Sequence, residues 1–414
     1  MSIIQKNYRK IFSAIFIVAF SCHVHAQANA GLSLWMGKLK LNDSINLLFD
    51  FDYSGNNIII HNAAERITVD EVVETKDSLN FKMPVFDSEF KCKKTSSSLS
   101  GVWINHARKT NNILQFTASK THRRNEKIAD AALPNPTFGG KWEVTFSPGT
   151  PDEYKGIGLF QYENNGSKHM TGTILTETGD YRYLEGEADK KGLTLSCFDG
   201  THAFLFAAKL QADGTLNGDF YAGAHGHEKW IARHNDKFEL RNADSLTFLK
   251  PGFDKLDFSF PDLSGKKVSL SDEKYKGKVV IVQIMGSWCP NCMDETKFMS
   301  GFYEKNKAKG LEIIGLAYER GGEMPKAVAN VERFKKRLNC NYTVLIAGLS
   351  SDKNEAAKSL PAISSLMGYP TTIYIDKKGK VRKIYTGFYG PATGAYYDKY
   401  VEETNLFVKK LLSE

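Results

Sequence analysis

The chain has 414 residues, of which 55 are Lys or Arg and 47 are Asp or Glu, so its net charge at pH 7 is +8. Its apolar fraction of 42% is ordinary for a globular protein and excludes a wholly disordered or fibrous chain. No basic stripe carries interleaved aromatic residues, so we expect no nucleic-acid partner. The length favours two or three domains.

The beginning of the chain has the pattern of an export signal. Three cationic residues among the first ten precede an apolar core at 11–20 that is too short to cross a bilayer. Small residues then favour cleavage before Gln27, so residues 1–26 are predicted to be a signal peptide. A lipidated Cys22 is the alternative, and it is disfavoured because bulky Phe20 stands where a small residue is usual. We therefore expect an exported, periplasmic protein.

Residues 27–245 consist of short runs in which apolar and polar side chains alternate, as at 47–51 and 142–146. Gly, Asn and Asp separate these runs at intervals of about 8–12 residues, which is typical of antiparallel strands joined by turns. The region is therefore predicted to be an all-β meander, either a barrel or a sandwich. A faint repeat relates 77–103 to 191–220, so the region contains either two related halves or one larger barrel.

All ten histidines precede residue 235, and four of them suggest a metal site at first sight: His202, His225, His227 and His234. No cysteine or acidic cluster accompanies them at a spacing typical of zinc ligands. We therefore expect these histidines to have structural roles and expect no metal.

Residues 246–255 are predicted to be a linker, because Lys250-Pro251-Gly252 interrupts the alternating pattern. From residue 256 to residue 414, buried strands alternate with helical patterns, which indicates an α/β domain. Strands are predicted at 278–285, 311–317, 342–347, 371–376 and 381–386, and a hairpin at 257–270. Helices are predicted at 293–309, 323–338 and 396–412, with a short helical turn at 363–367.

Two cysteines stand where the first of these strands meets a helix. Cys289 lies at the predicted helix cap and Cys292 one turn inside. Unpaired N–H groups and the helix dipole at that end stabilise a thiolate, which is the species that attacks disulfides. Pro290 suits the first helical turn because it has no N–H to leave unpaired. The more exposed Cys289 is predicted to be the nucleophile and Cys292 the resolving thiol, a redox pair that needs no bound cofactor.

The stretch W-C-P-N-C after a strand, with Tyr369-Pro370 far downstream, resembles the TlpA/ResA-like thiol-disulfide reductases. The resemblance implies a thioredoxin-like domain, with a central mixed sheet flanked by helices, preceded by an N-terminal β domain. It also implies that Pro370 is a cis-proline that shapes the groove in which a substrate lies. Trp288, Pro290 and Tyr369 complete the surroundings of the cysteines.

The group that handles the proton of Cys292 is less clear from the sequence. Thioredoxins have a buried Asp at the position of Gln283, which cannot act as a base. The resemblance implies an acid in the preceding hairpin, where this chain has Pro261 with Asp262 beside it. Asp262 and Glu319 are the candidate carboxylates, and proton transfer through water near Gln283 is the alternative.

Three further cysteines remain in the mature chain. Cys92 and Cys197 lie in comparable places of the two β halves, and buried free thiols are favoured over a disulfide between them. Cys340 precedes a strand and is interpreted as a small core residue.

Other known kinds of cysteine site require residues that this chain lacks. A zinc knuckle needs a second ligand pair, and a Sco-type copper-delivery protein needs a CxxxC and a distant His. A peroxiredoxin needs Thr or Ser where Gly286 stands, and a c-type haem site needs His where Met293 stands.

The sequence thus predicts an exported thiol-disulfide oxidoreductase that reduces disulfides of envelope proteins. A membrane electron donor is expected to reduce the cysteine pair again. The alternative is an envelope binding module whose β domain holds a ligand or partner, with redox activity that is secondary or runs in the oxidising direction.

Overall fold

The protein is described from a computed structural model, which covers residues 33–121, 138–164 and 167–414. The predicted signal peptide, the cleavage site before Gln27 and Cys22 lie outside the described residues. Among the described helices, none combines the length and the apolar character needed to cross a bilayer.

The first nine strands form an antiparallel meander in one open sheet. Their bounds are β1 (Ser33–Lys40), β2 (Asn46–Ser54), β3 (Asn57–Asn62), β4 (Glu65–Val69), β5 (Glu71–Glu74), β6 (Ser78–Lys82), β7 (Ser88–Lys94), β8 (Ser98–Asn105) and β9 (Ile113–Lys120). Because β1 pairs with both β2 and β9, the order across the sheet is β4-β3-β2-β1-β9-β8-β7-β6-β5. In β2 every second side chain is buried, among them Phe49 and Phe51, as the alternating pattern predicts.

The next nine strands form a second antiparallel sheet. Their bounds are β10 (Gly140–Phe146), β11 (Tyr154–Tyr162), β12 (His169–Thr176), β13 (Gly179–Asp180), β14 (Leu184–Asp189), β15 (Gly192–Phe198), β16 (Ala203–Leu210), β17 (Leu216–Ala222) and β18 (Gly226–His234). β10 pairs with β11 and β18, and β11 also pairs with β12. Eight strands therefore close into a ring, with the two-residue β13 beside β12. Of the two architectures predicted for residues 27–245, a barrel describes this second sheet.

The two β sheets contact each other through the end of β15. Phe198 packs in the aromatic core of the first sheet, where its ring stacks on Phe49 at a centroid distance of 4.7 Å. The side chain of Asn62, at the end of β3, donates a hydrogen bond to the Phe198 carbonyl at 2.9 Å and accepts one from its N–H at 3.0 Å. These buried contacts fix the two sheets against each other.

The C-terminal region is the predicted α/β domain. Its strands are β19 (Ser259–Pro261), β20 (Lys267–Ser269), β21 (Val279–Met285), β22 (Leu311–Tyr318), β23 (Thr343–Gly348), β24 (Thr371–Ile375) and β25 (Val381–Thr386). Its helices are α1 (Pro290–Asn306), α2 (Met324–Arg337), α3 (Lys353–Lys358) and α4 (Ala395–Ser413). Five strands form a mixed sheet in the order β23-β22-β21-β24-β25, in which β21 runs parallel to β22 and antiparallel to β24.

One predicted element is wrong. No helix forms at 363–367, where Ile363 instead makes an isolated bridge with Leu249. An additional helix, α3, lies earlier in the chain. Its N-cap residue is Asp352, whose side chain accepts hydrogen bonds from the N–H groups of Asn354 and Glu355. That side-chain cap stabilises a helix too short for an apolar periodicity to reveal it.

The predicted linker is held against the C-terminal region. Lys250 N–H donates to the Ala362 carbonyl at 2.8 Å, and the buried hydroxyl of Thr247 accepts a hydrogen bond from Thr386 at 3.0 Å. The β sheets and the mixed sheet are therefore joined by a packed connection. The domain boundaries themselves stay a prediction.

Candidate functional site

The two cysteines lie at the junction of β21 and α1. Cys289 is the N-cap residue of α1, and its Sγ accepts a hydrogen bond from the Cys292 N–H at 3.2 Å. Pro290 occupies the first helical position, as predicted. Cys289 is 6% exposed and Cys292 is fully buried, so only the first thiol reaches the surface of the site. Both cysteines are free thiols.

The segment before β24 forms the opposite wall of the site. The Tyr369–Pro370 peptide is cis, as the resemblance implies. This segment brings the Tyr369 carbonyl within 3.6 Å of the Cys289 Sγ, which donates a weak hydrogen bond to it. β24 then pairs with β21, so the cysteine pair and the cis-proline segment are held by neighbouring strands.

Trp288 covers one side of the cysteine loop. Its indole N–H donates to the Tyr318 carbonyl at 2.9 Å, and its ring meets Tyr369 edge to face at a centroid distance of 5.4 Å. The guanidinium of Arg320 lies 3.5 Å from the centre of the Trp288 ring, a cation–π contact. The side chain therefore packs the cysteine loop against Tyr318 and Tyr369, and its predicted role in shielding the thiols stays a prediction.

The three predicted proton-handling residues have different surroundings. The carboxylate of Asp262 accepts hydrogen bonds from Ser264 and from the Lys266 N–H, so it is engaged within its own hairpin. The buried Glu319 accepts hydrogen bonds from the Ser287 N–H at 2.7 Å and the Ser287 hydroxyl at 2.6 Å. Burial raises the pKa of Glu319. These contacts orient the cysteine loop and do not reach either sulfur.

Gln283 connects to a carboxylate that the sequence analysis missed. Its amide nitrogen donates to the Glu295 carboxylate at 2.8 Å, and Thr372 and Tyr400 donate to the same carboxylate at 2.7 and 3.0 Å. Glu295 is fully buried, and burial raises its pKa to about 7, against the opposing effect of these hydrogen bonds. A buried carboxyl that titrates near neutral pH can exchange protons in this site.

The position of Glu295 on α1 gives it influence over the resolving thiol. Cys292 and Glu295 are three residues apart and both fully buried, so they share the inward face of the helix. Burial raises the pKa of Cys292 well above its usual value, and the neighbouring Cys289 and the Glu295 carboxylate raise it further. Glu295 could have been identified from the sequence, because it lies three residues after Cys292 and therefore on the same face of the predicted helix.

The remaining cysteines lie away from this chemistry. Cys92, Cys197 and Cys340 are buried free thiols, so the favoured prediction for the first two agrees with the structure. Burial raises the pKa of all three, which disfavours their thiolates.

Histidines of the β sheets have protein partners. His227 contacts the Asp219 carboxylate at 2.6 Å, and His202 stacks on Phe204. Within residues 33–121, 138–164 and 167–414, no group of three or more His, Cys, Asp or Glu side chains is arranged to hold a metal ion.

The β region also contributes to the site, which the sequence analysis did not foresee. The turn between β12 and β13 lies beside Asn291, and the Arg182 guanidinium that follows donates to the Pro290 carbonyl at 3.4 Å. Both contacted residues stand between the two cysteines. Nothing in the spacing of residues more than 100 positions apart indicates such a contact.

The C-terminal region of the chain is similar in sequence to known proteins. The AhpC/TSA family profile matches residues 252–384. The thiol-disulfide oxidoreductase ResA of Bacillus subtilis is 33% identical over 139 residues, which cover 34% of this chain and 69% of that protein. The ResA of Geobacillus thermodenitrificans is 35% identical over 131 residues, which cover 32% of this chain and 66% of that protein.

This chain therefore spans about two thirds of the length of these relatives, and the match lies in its C-terminal region. Among solved structures, a putative protein disulfide isomerase from Bacteroides thetaiotaomicron is 22% identical in sequence. The match covers 41% of this chain and 93% of that chain, with a TM-score of 0.31. Through its C-terminal region, the chain belongs to the ResA-like family of thiol-disulfide oxidoreductases.

Proposed function

We propose that this protein is an exported thiol-disulfide oxidoreductase that reduces disulfides of envelope proteins. The observation that carries the proposal is the Cys289 sulfur at the start of α1, which accepts the Cys292 N–H and faces the Tyr369 carbonyl. These contacts support a site in which Cys289 is the nucleophile, Cys292 is the resolving thiol and the Tyr369 carbonyl belongs to a backbone wall for the substrate. Export rests on the predicted signal peptide at residues 1–26.

The reaction consists of two thiol exchanges. The Cys289 thiolate attacks one sulfur of the substrate disulfide, the substrate S–S bond breaks, and the released substrate thiolate takes a proton. Cys292, as its thiolate, then attacks the Cys289 sulfur of the mixed disulfide. The Cys289–Cys292 disulfide forms and the second substrate thiol leaves. The substrate gains two electrons and two protons, and the cysteine pair loses the same number.

The second exchange requires deprotonation of a buried thiol. Because burial raises the pKa of Cys292, the thiol needs a nearby group that accepts its proton. Glu295 is the carboxyl on the same helical face whose pKa of about 7 suits that role at neutral pH. We assign Glu295 this role in place of Asp262, because Glu295 lies on the same helix as Cys292 whereas Asp262 lies in the turn after β19.

The cycle is completed by another dithiol. We propose that a membrane electron donor carrying a reduced cysteine pair attacks the Cys289–Cys292 disulfide and leaves with a disulfide of its own. The reaction needs no bound cofactor or metal, since sulfur atoms carry all the electrons. The partners of the protein are then this donor, disulfide-bearing envelope proteins and an unidentified partner of the β region.

The direction of electron flow is tested by the reduction potential of the pair. Mature protein is equilibrated in graded redox buffers, and the Cys289–Cys292 state is read by alkylation and mass spectrometry. A potential near or below about −220 mV, in the range of reducing CxxC proteins, supports the reductase. A value near −120 mV, typical of a strong oxidant, would contradict the reducing direction. A Cys289→Ser variant controls for reduction by other thiols.

A further inference from the structure

The turn between β12 and β13 lies beside the cysteine pair. Three segments of the C-terminal region form walls around this turn: the cysteine loop, the segment that leads to the cis-proline and the loop after β25. Each of them meets Thr178 or Gly179. A Cβ atom at Gly179 would lie 1.8 Å from Asn291 Nδ2, and one at Gly368 would lie 2.8 Å from the Thr178 Cβ. A Cβ atom at Gly387 would also lie 2.8 Å from the Thr178 backbone.

These distances show that the turn is in close contact with all three walls. Gly179 has a φ of +145°, which side-chain-bearing residues rarely adopt, and the absence of a side chain lets it approach Asn291. Gly368 and Gly387 likewise leave room for Thr178. Backbone of the β region thus contacts the segment that leads to Pro370, beside which the backbone of a substrate is expected to lie.

Polar contacts hold the turn in place. The Asp180 carboxylate accepts a hydrogen bond from the Gly390 N–H at 2.6 Å, just beyond the loop after β25. On the other side, Arg182 donates to the Pro290 carbonyl at 3.4 Å and forms an ion pair with Asp294 of α1. Arg182 itself has a φ of +59°, in the left-handed region that residues with side chains seldom occupy. The segment is therefore built to bring this guanidinium to the start of α1.

The tip of the turn carries no large apolar side chain. It reads Glu177-Thr178-Gly179, and the Glu177 carboxylate pairs with Arg241 at the surface. Because little apolar area is buried at the tip, displacing it from this position should cost little hydrophobic free energy. Asp180 and Arg182, whose contacts hold this segment, follow the tip in the chain and are not part of it.

We propose that residues 177–179 are an intramolecular occupant of the substrate groove and determine which disulfides reach Cys289. This inference rests on the proposed function. A small-molecule disulfide reaches the sulfur while the turn is in place. A disulfide within a folded protein needs the groove for its backbone, so it reacts only with the fraction of molecules whose turn has left.

The test compares two substrates in variants of the turn. Thr178→Arg introduces a side chain that does not fit between Gly368 and Gly387, and Thr178→Gly removes the side chain that fills this space. Ala212→Arg, in the exposed turn after β16, is the matched control for the added charge and bulk. The probes are an aromatic small-molecule disulfide and the interchain disulfides of insulin, with reduced full-length mature protein in each case.

Both Thr178 variants are expected to reduce insulin faster, by up to about tenfold if the open form is about a tenth of the population, and by more if it is rarer. Their rate with the small disulfide should stay within about twofold of that of the unmodified protein, and their reduction potential should not change, because the sulfur chemistry is the same. Ala212→Arg should match the unmodified protein in every measurement.

Insulin rates that are unchanged in Thr178→Gly and in Thr178→Arg, with normal reduction of the small disulfide, would overturn this inference alone. An equal gain in Ala212→Arg would overturn it as well, since the gain would then come from surface charge. Failure of the unmodified protein to reduce either disulfide would overturn the proposed function and this inference with it. Thr178→Gly adds no bulk, so it decides the matter if Thr178→Arg does not fold.

Discussion

The Arg182 guanidinium forms an ion pair with the Asp294 carboxylate, which joins the β region to the helix that carries Cys292. The two residues are 112 positions apart. Arg182 is 1% exposed and also pairs with Glu65 of the first sheet. One buried cation therefore links both β sheets and the redox helix. Through this ion pair the β region is in direct contact with the helix that begins at the cysteine pair.

Replacement of Arg182 by an uncharged residue is expected to destabilise the folded protein. Arg182→Met leaves the carboxylates of Glu65, Asp199 and Asp294 without their shared partner, and loss of one partner in a buried ion pair typically costs about 3–5 kcal/mol. The free energy of unfolding, measured in urea, should fall by that order.

The matched control is Arg233→Met. Arg233 pairs with Glu143, but its own side chain is 68% exposed, and Asn235 and Lys155 still contact the Glu143 carboxylate when Arg233 is replaced. A loss of no more than about 1 kcal/mol is expected there. Equal losses in the two variants would contradict a special role for Arg182.

Replacement of Cys289 and replacement of Cys292 should stop the reaction at different steps. Cys289→Ser removes the nucleophile and should abolish disulfide reduction, whereas Cys292→Ser should still attack and then stop at the mixed disulfide. Mass spectrometry of each variant after incubation with a disulfide substrate distinguishes the two. Cys340→Ala, which changes a buried thiol outside the site, is the control and should retain activity. A stable adduct on Cys289→Ser would show that another cysteine is the nucleophile.

Glu319 should stabilise the cysteine loop and not transfer protons. Glu319→Ala leaves the N–H and hydroxyl of Ser287 without their acceptor, and each buried unsatisfied group costs about 1–3 kcal/mol. Ser287→Ala removes only the hydroxyl contact and should cost less. Unfolding in urea measures the two losses. A normal stability together with an altered pH dependence of Cys292 alkylation would instead assign Glu319 to proton transfer.

Much of the C-terminal fold could be predicted because its signals are local. β21 is a run of buried residues that is apolar except for Gln283, and the cysteine motif and Pro370 follow in the expected order. Glu295 was missed because a carboxylate on a helix is normally read as surface, although its spacing from Cys292 places it inside. The contact of Gly179 with Asn291 could not be predicted, because it depends on how the second β sheet packs against α1.

Glu295 should make stability depend on pH in a characteristic window. Burial raises its pKa in the folded protein from 4.5 to about 7, so the folded state holds this proton more tightly than the unfolded state. The resulting stabilisation is fully present below about pH 4.5 and is lost as the pH rises through 7. A shift of that size corresponds to roughly 3 kcal/mol.

Glu295→Gln keeps the shape of the side chain and removes the titration. The free energy of unfolding should therefore fall more steeply between about pH 4.5 and 8 in the unmodified protein than in the variant, by the same 3 kcal/mol or so. The pH profile of the second exchange, read as decay of the mixed disulfide, should lose its transition near 7 in Glu295→Gln. Asp262→Asn is the control and should leave both profiles unchanged, since that carboxylate is engaged by its own hairpin. If both pH profiles had the same shape in Glu295→Gln and in the unmodified protein, Glu295 would not accept the Cys292 proton. Proton transfer through water near Gln283 would then be the better explanation.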